Sequence, residues 1–466
     1  MRGLTSVRPS DAPRLRRWDV VVLGGALPGL VAAVRLGQRG ARVLVIEEAT
    51  ALDGFFGLRE PFLLTGSERE GVLGACLLEL GLPLIDRRRF VESEIAVQIA
   101  TPDARIDFGR APVALAELTA WGFVKPEAGR ALLEAFGAAA QAERENLLAA
   151  PIVKGPRLRW PGQAGLGAAR RRETHRVGEY IDIPETLRPV LEGLARALAD
   201  TGEPRPAAES IARLVGGLLL GAAALRGEEA GLRGMLRRRI EALLGEFRRT
   251  GEDLQLLTVG GNPAVGLKDP VETCGGRVLV LNAPLAGIAA ACGDRAPAAL
   301  LAARPERRRV SLHYRGEASA LPEGMGGRLV SVSRPGAGDD RAIVTLQVFA
   351  GEDRRGRVDL IASAVGPARA ESREPIEDWI RRTVRNLIPF SEQSLESVRA
   401  PEVTWDDDAL RGAPAGSRRW PRPAEIRLSQ RPAIFTLDRD AVAPLGLEGD
   451  LLLGWRAGDA IADGLG

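Results

Sequence analysis

The rhythm of apolar and polar positions changes repeatedly along this chain, and each change marks an element. Asp19-Val20-Val21-Val22-Leu23 is a nearly unbroken apolar run, the pattern of a strand covered on both faces. It reaches a bend, Gly24-Gly25-Ala26-Leu27-Pro28-Gly29. An Ala/Val/Leu-rich helical segment then runs to Gly40, and a second apolar run, Val43 to Ile46, ends on Glu47-Glu48. Gly71 to Gly81 places Leu73, Cys76, Leu77 and Leu80 on one helical face. From about Pro112 to Leu225 the pattern is mostly helical, interrupted at Lys154 to Gly178 by an exposed basic loop holding Trp160 and Arg170-Arg171-Arg172. Ile211 to Leu225 is the most apolar stretch. Its length falls short of the ~20 residues that span a bilayer, so it reads as a buried helix, with a membrane-dipping segment beside a lipid-accepting pocket as the minority reading.

Leu232 to Phe247 is amphipathic, with Leu232, Leu236, Ile240, Leu243 and Phe247 at helical steps. Strands follow at Leu254 to Val259 and Arg277 to Asn282. Between Val310 and Val365 the period becomes two, which predicts an antiparallel sheet. Ile376, Trp379, Ile380, Thr383, Val384 and Leu387 then form a helical stripe stopped by Pro389. No repeat of 20–50 residues is present.

Composition narrows the function classes. The 466 residues suffice for two or three structural units, and 45% hydrophobic with 27% charged residues is ordinary for a water-soluble chain. A net charge of +3 gives no global attraction to nucleic acid. Two histidines and three dispersed cysteines argue against a metal site or a disulfide framework. No nucleophile elbow or phosphate-loop lysine is found, so hydrolase and NTPase readings have no residues to stand on. The first seventeen residues read as a flexible basic tail. Arg16-Arg17 before an apolar run is not read as an export signal, because that run carries the glycine bend and lacks a cleavage site. The expected location is cytoplasmic, with peripheral membrane contact as the variant.

Strand, tight turn, helix, strand and terminal acid make the first unit of a dinucleotide-binding fold. In such a unit the helix N-terminus faces a diphosphate, Gly29 allows close helix–strand packing, and Glu47 can accept hydrogen bonds from an adenosine ribose. An acid there disfavours a 2′-phosphate. Ala26 replaces the middle glycine of G-x-G-x-x-G, putting a methyl group where backbone would approach phosphate.

With the helical insertion, the helix–strand return at Leu232 to Val259, Asn282-Ala283-Pro284, Leu321 to Gly326 and Gly449 to Gly454, the order of parts resembles the phytoene desaturase/amine oxidase superfamily of FAD-dependent oxidoreductases. The resemblance implies an α/β fold: a Rossmann-like FAD-binding domain assembled from 18–70, 226–293 and 421–466, and an α+β substrate domain, 71–225 and 294–420, with an antiparallel sheet and a helical insertion. It implies FAD held by Gly24, Gly25, Ala26, Leu27, Pro28, Gly29, Glu47, Glu48, Gly54, Val259, Gly454, Gly458 and Asp459. It also implies hydride removal from an apolar, isoprenoid- or carotenoid-like small molecule or lipid. No catalytic side chain stands out: His313 reads as structural, and Lys268 sits in a turn region. The chain departs from the family at Ala26, at Asp53-Gly54-Phe55 where an arginine-bearing turn belongs, and at Trp455 where the closing Gly-Asp aspartate aligns. Those departures motivate the alternative, a catalytically degenerate flavin-fold scaffold that binds a protein partner or a lipid.

Overall fold

The computed structural model describes residues 4–49, 56–68, 70–149, 152–154, 181–199, 206–226, 231–251, 253–268, 271–301, 305–332, 343–350, 356–398, 404–412 and 423–465. The chain builds two large sheets. At the centre of the first lies the strand Leu15–Leu23. It pairs in parallel with Val43–Glu48 on one side and with Val271–Leu281 on the other. Glu246–Thr250 adds in parallel beyond Val43–Glu48, and Ala433–Thr436 lies beside the second half of Val271–Leu281. These five strands run the same way, so Leu23, Glu48, Thr250, Leu281 and Thr436 end at one edge.

The helix Leu27–Gln38 covers one face of this sheet, burying Leu30, Val31, Val34 and Leu36 against Val20, Val22 and Val45. Each such side chain contributes about 1.5–3 kcal/mol of burial. A closing helix, Leu447–Asp463, packs on the outside of Leu27–Gln38. Gly454 makes this possible, since a Cβ there would collide with the Pro28 carbonyl and the Val31 side chain. The opposite face of the sheet packs Val21, Leu23, Leu44, Ile46, Leu279 and Leu281 with Ile288 and Trp405.

The second sheet has the strand order Leu395–Val398, Arg307–Glu317, Arg357–Pro367, Ile343–Ala350, Arg328–Val332, Ile95–Ala100, Arg105–Gly109. The period-two segment is antiparallel as expected, with Ser311 opposite Ser363 and Thr345 opposite Ser363 on the other side. The helix Arg373–Leu387 covers one face with Ile376, Ile380 and Val384. The insertion helices, among them Pro126–Ala149, Arg188–Leu198 and Ala208–Leu220, form a separate core with Phe136, Leu191 and Val215.

Four sequence expectations change. The tail is not loose throughout: Thr5–Val7 is a strand paired with Leu254–Val259, covering an otherwise open sheet edge. The amphipathic helix stops at Ala242, and Phe247 belongs to the strand Glu246–Thr250, because Leu244 at φ 63° and Gly245 break the helical run. Ile211 to Leu225 splits into the end of the helix Ala208–Leu220 and the strand Ala222–Leu225, and no described helix is long and apolar enough to cross a membrane. Gly449 to Gly454, which resembled a closing flavin segment, lies within the helix Leu447–Asp463. The basic loop, from residue 155 onward, lies outside the described residues.

Candidate functional site

The strand ends at the shared edge of the first sheet are where ligands bind in open α/β folds. Gly24, at φ +108°, turns the chain sharply after Leu23. The Asn282 side-chain amide donates to the carbonyls of Gly24 and Ala26, at 2.9 Å each, and clamps the bend. Gly29 lies flush on that carboxamide, where any Cβ would land inside it. Ala26 precedes the helix with no side-chain cap. The bend thus has the geometry that Gly24 and Gly29 suggested, with Asn282 as the group Gly29 accommodates.

One donor of the bend already has an acceptor. Gly25 N–H donates to both carboxylate oxygens of Asp406, at 2.9 and 3.1 Å. The Gly25 carbonyl accepts from Arg233. Arg59 bridges Asp406 and Asp408, at 3.2 Å to each, and Arg233 reaches Asp408 at 3.3 Å. Glu60 accepts from the N–H groups of Leu232 and Arg233, at 2.8 and 3.1 Å, and so fills the N-terminus of the helix Leu232–Ala242. Arg439 binds Asp450 in the first turn of the closing helix.

The strand-end acids are committed as well. Glu48 is buried and accepts from the backbone N–H groups of Thr404, Trp405 and Asp406 and from the Thr404 hydroxyl, at 2.7–3.0 Å. Glu47 pairs with Arg237. Its Oε1 is buried without a hydrogen-bond partner, 2.5 Å from where a Gly25 Cβ would stand. Trp405, fully buried, lies in the same cluster as Leu23, Ile46, Leu281 and Ile288, and its indole N–H donates to the Gly251 carbonyl at 3.1 Å. Thr404 to Asp408 therefore put a buried aromatic ring and a carboxylate beside the strand ends.

Electrostatics follow from this crowding. Burial pushes the Asp406 carboxyl up to about 6; Arg59 and the Gly25 N–H oppose the rise, while Glu47 and Asp408 add to it. Burial also disfavours charge on Asp408, but Arg59, Arg233, Arg439 and Arg411 outweigh it and hold that carboxyl well below its ordinary range. Arg233 is lowered by burial and by Arg59.

The FAD that the resemblance implies would have to share these contacts. A diphosphate would need the Gly25 N–H that Asp406 occupies, and a second anion beside the Asp406 carboxylate would be repelled. An adenosine ribose would need the acid that Arg237 binds. With Thr404 to Asp408 in place, these residues do not fit FAD.

Of the residues singled out by sequence, Gly24, Gly25, Ala26, Leu27, Pro28, Gly29, Glu47 and Glu48 meet at this edge. Gly54 lies outside the described residues. Val259 is at the opposite end of the sheet, in a hairpin beside Leu15, Asp19 and Arg277, because its strand turns back at Gly260-Gly261. Gly454 and Gly458 face the helix Leu27–Gln38, and Asp459 pairs with Arg35 at 2.6 Å, so all three serve helix packing rather than a cofactor loop. Trp455 is mid-helix; the strand that leads to the edge is Ala433–Thr436, followed by Asp438 and Arg439. Sequence reasoning missed Arg59, Arg233, Trp405, Asp406 and Asp408. The run Trp405-Asp406-Asp407-Asp408 was the available signal.

His313 is buried against Asp359, which also binds Arg315 at 3.1 Å, and Lys268 pairs with Asp253 on the surface. Burial raises all three cysteine thiols, to about 11 or 12. No cluster of metal-binding side chains occurs among the described residues.

Between the edge and the second sheet lies a cavity of about 190 Å³. Leu27, Arg59 and Asp408 line it beside the edge of the first sheet, Arg213 and Leu214 from the insertion, and Arg307, Arg309 and Ser311 from the second sheet. Phe62, Leu63, Leu214, Ile343 and Ile361 give the same cavity an apolar part.

This mixed α/β architecture, with one mainly parallel and one mainly antiparallel sheet, is similar in fold to solved oxidoreductases. Putrescine oxidase with putrescine bound is similar over 96% of this chain and 99% of its own, with a TM-score of 0.55 at 15% identity. An oxidoreductase from Methanosarcina mazei is similar over 94% and 99% of the two chains, with a TM-score of 0.53 at 14% identity. The PF1083 protein from Pyrococcus furiosus gives 0.50 over 92% and 95%, at 15% identity. No protein-family profile matches the sequence, and no curated protein does. At these identities the likeness is one of fold.

Proposed function

We propose that this chain is a ligand-binding protein on a flavin-oxidoreductase scaffold, with its nucleotide cradle closed by its own residues. The carrying observation is the Asp406 carboxylate, hydrogen-bonded through both oxygens to the Gly25 N–H. Arg237, bound to Glu47, extends the closure to the ribose side. Function then resides in the cavity between the sheets, without hydride transfer. A second reading, an FAD-dependent oxidoreductase, is favoured by the unpartnered Glu47 Oε1, the atom a ribose hydroxyl would meet. It requires Thr404 to Asp408 to withdraw. The purified protein's visible spectrum and a calorimetric titration with FAD and ADP decide between them. A colourless protein that binds neither supports the closed cradle; stoichiometric FAD overturns it.

A further inference from the structure

We propose that the cavity between the two sheets binds a small polyanion, a polycarboxylate or a phosphate compound, through Arg213, Arg309 and Arg411. This deepens the closed-cradle reading and rests on it, because that reading leaves the cavity as the space a ligand can enter.

The sign of the charge comes first. Seven arginines and four carboxylates line the cavity. Arg59 and Arg439 are neutralised by Asp406, Asp408 and Asp450. Arg213 is ion-paired with Glu143 through its Nε at 3.4 Å and donates from Nη2 to the Pro444 carbonyl, yet its buried Nη1 has no hydrogen-bond partner. Burial pushes the Glu143 carboxyl up to about 7, so at neutral pH it supplies only part of a counter-charge. Arg411 gives its hydrogen bonds to the backbone carbonyls of Asp408 and Leu410 rather than to a carboxylate. Burial, and then its neighbours Arg439 and Arg309, bring its guanidinium down to about 10.

The strand period explains how the cations gather. In Arg307-Arg308-Arg309 the first and third residues share the cavity face with Ser311, while Arg308 pairs with Asp407 at 2.6 Å. Thr345, Gln347 and Ser363 complete a hydrogen-bonding floor. An apolar occupant would leave the buried Arg213 Nη1 unmet. A polyanion meets the cations with charge-assisted hydrogen bonds.

The test is calorimetry on the full chain at constant ionic strength, with citrate and inorganic pyrophosphate as probes and putrescine as the cationic control. We expect saturable one-to-one binding of at least one anion and none of putrescine. Response to one probe alone assigns the ligand to carboxylates or to phosphates. Arg309→Glu and Arg411→Leu should each weaken binding by about tenfold or more, whereas Arg381→Glu, on the outer helix Arg373–Leu387, should not. Arg309 is exposed, so its variant carries the test if Arg411→Leu does not fold. No saturable binding of either anion, or unchanged affinity in Arg309→Glu, overturns the inference. Titrating FAD into the same sample separates the two failures. FAD uptake would sink the closed-cradle reading, and loss of anion binding without FAD uptake would sink this inference alone.

Discussion

Replacing Glu48 with glutamine changes one oxygen to an amide and should release the segment that closes the cradle. Glu48 receives three consecutive backbone N–H groups and one hydroxyl from Thr404, Trp405 and Asp406. A carboxylate can accept all four; the glutamine side chain has one acceptor oxygen and points two N–H donors at the rest. If its oxygen serves Trp405 and Asp406, the Thr404 N–H faces another donor. One charge-assisted hydrogen bond is lost, about 1.5–3 kcal/mol, and one buried donor is left unmet, about 1–3 kcal/mol. The combined cost is on the order of 3–5 kcal/mol. Since 1.4 kcal/mol is tenfold in an equilibrium constant, local opening should rise by about 10²–10³. Hydrogen exchange of the Thr404, Trp405 and Asp406 amides should accelerate by that factor, with amides of the Leu15–Leu23 strand much less affected. Exchange at those three positions within about fivefold of wild type would refute the account of Glu48 as the anchor.

Two further outcomes follow from packing and charge. Gly29→Ala forces a methyl group into the Asn282 carboxamide and should cost about 1–3 kcal/mol in urea unfolding; the penalty should shrink in an Asn282→Ala background, and strict additivity would show the two sites are independent. Asp406 and Glu143 have folded-state pKa values near 6 and 7, above their ordinary 3.8 and 4.5. Between those values the folded chain holds protons that the unfolded chain releases, so these groups favour folding most below pH ~4 and progressively less as pH rises to ~7. Asp408, depressed, acts oppositely: its contribution is present above its ordinary value and is lost as pH falls below it. Stability measured from pH ~4.5 to ~7 should therefore decline less steeply in Glu143→Gln than in wild type; an unchanged slope contradicts the burial argument.

The first βαβ unit was legible because its signals are local: an apolar run, a glycine bend and a terminal acid within thirty residues. The antiparallel sheet was legible from its period of two. The closure of the cradle was not, because Gly25 and Asp406 lie 381 residues apart and no periodicity links them. Glu47 and Glu48 looked like one feature in sequence, yet strand alternation sends them to different partners, Arg237 and the Thr404–Asp406 backbone. Gly454 and Gly458 were read as cofactor-binding glycines because glycine also serves close helix packing, and only the partner helix distinguishes the two uses. The alternation in Arg307-Arg308-Arg309 was visible, but the cavity it faces depends on three other chain segments.

The pairing of Arg35 with Asp459 spans 424 residues. At ~5–20 residues per second, the closing helix leaves the ribosome roughly 20–80 s after the helix it covers. Throughout that interval the nascent chain shows the outer, glycine-receiving side of its first helix to the cell, a greasy surface that invites chaperones or mispairing. Expression yield should therefore depend on how quickly the final helix is synthesised and docks.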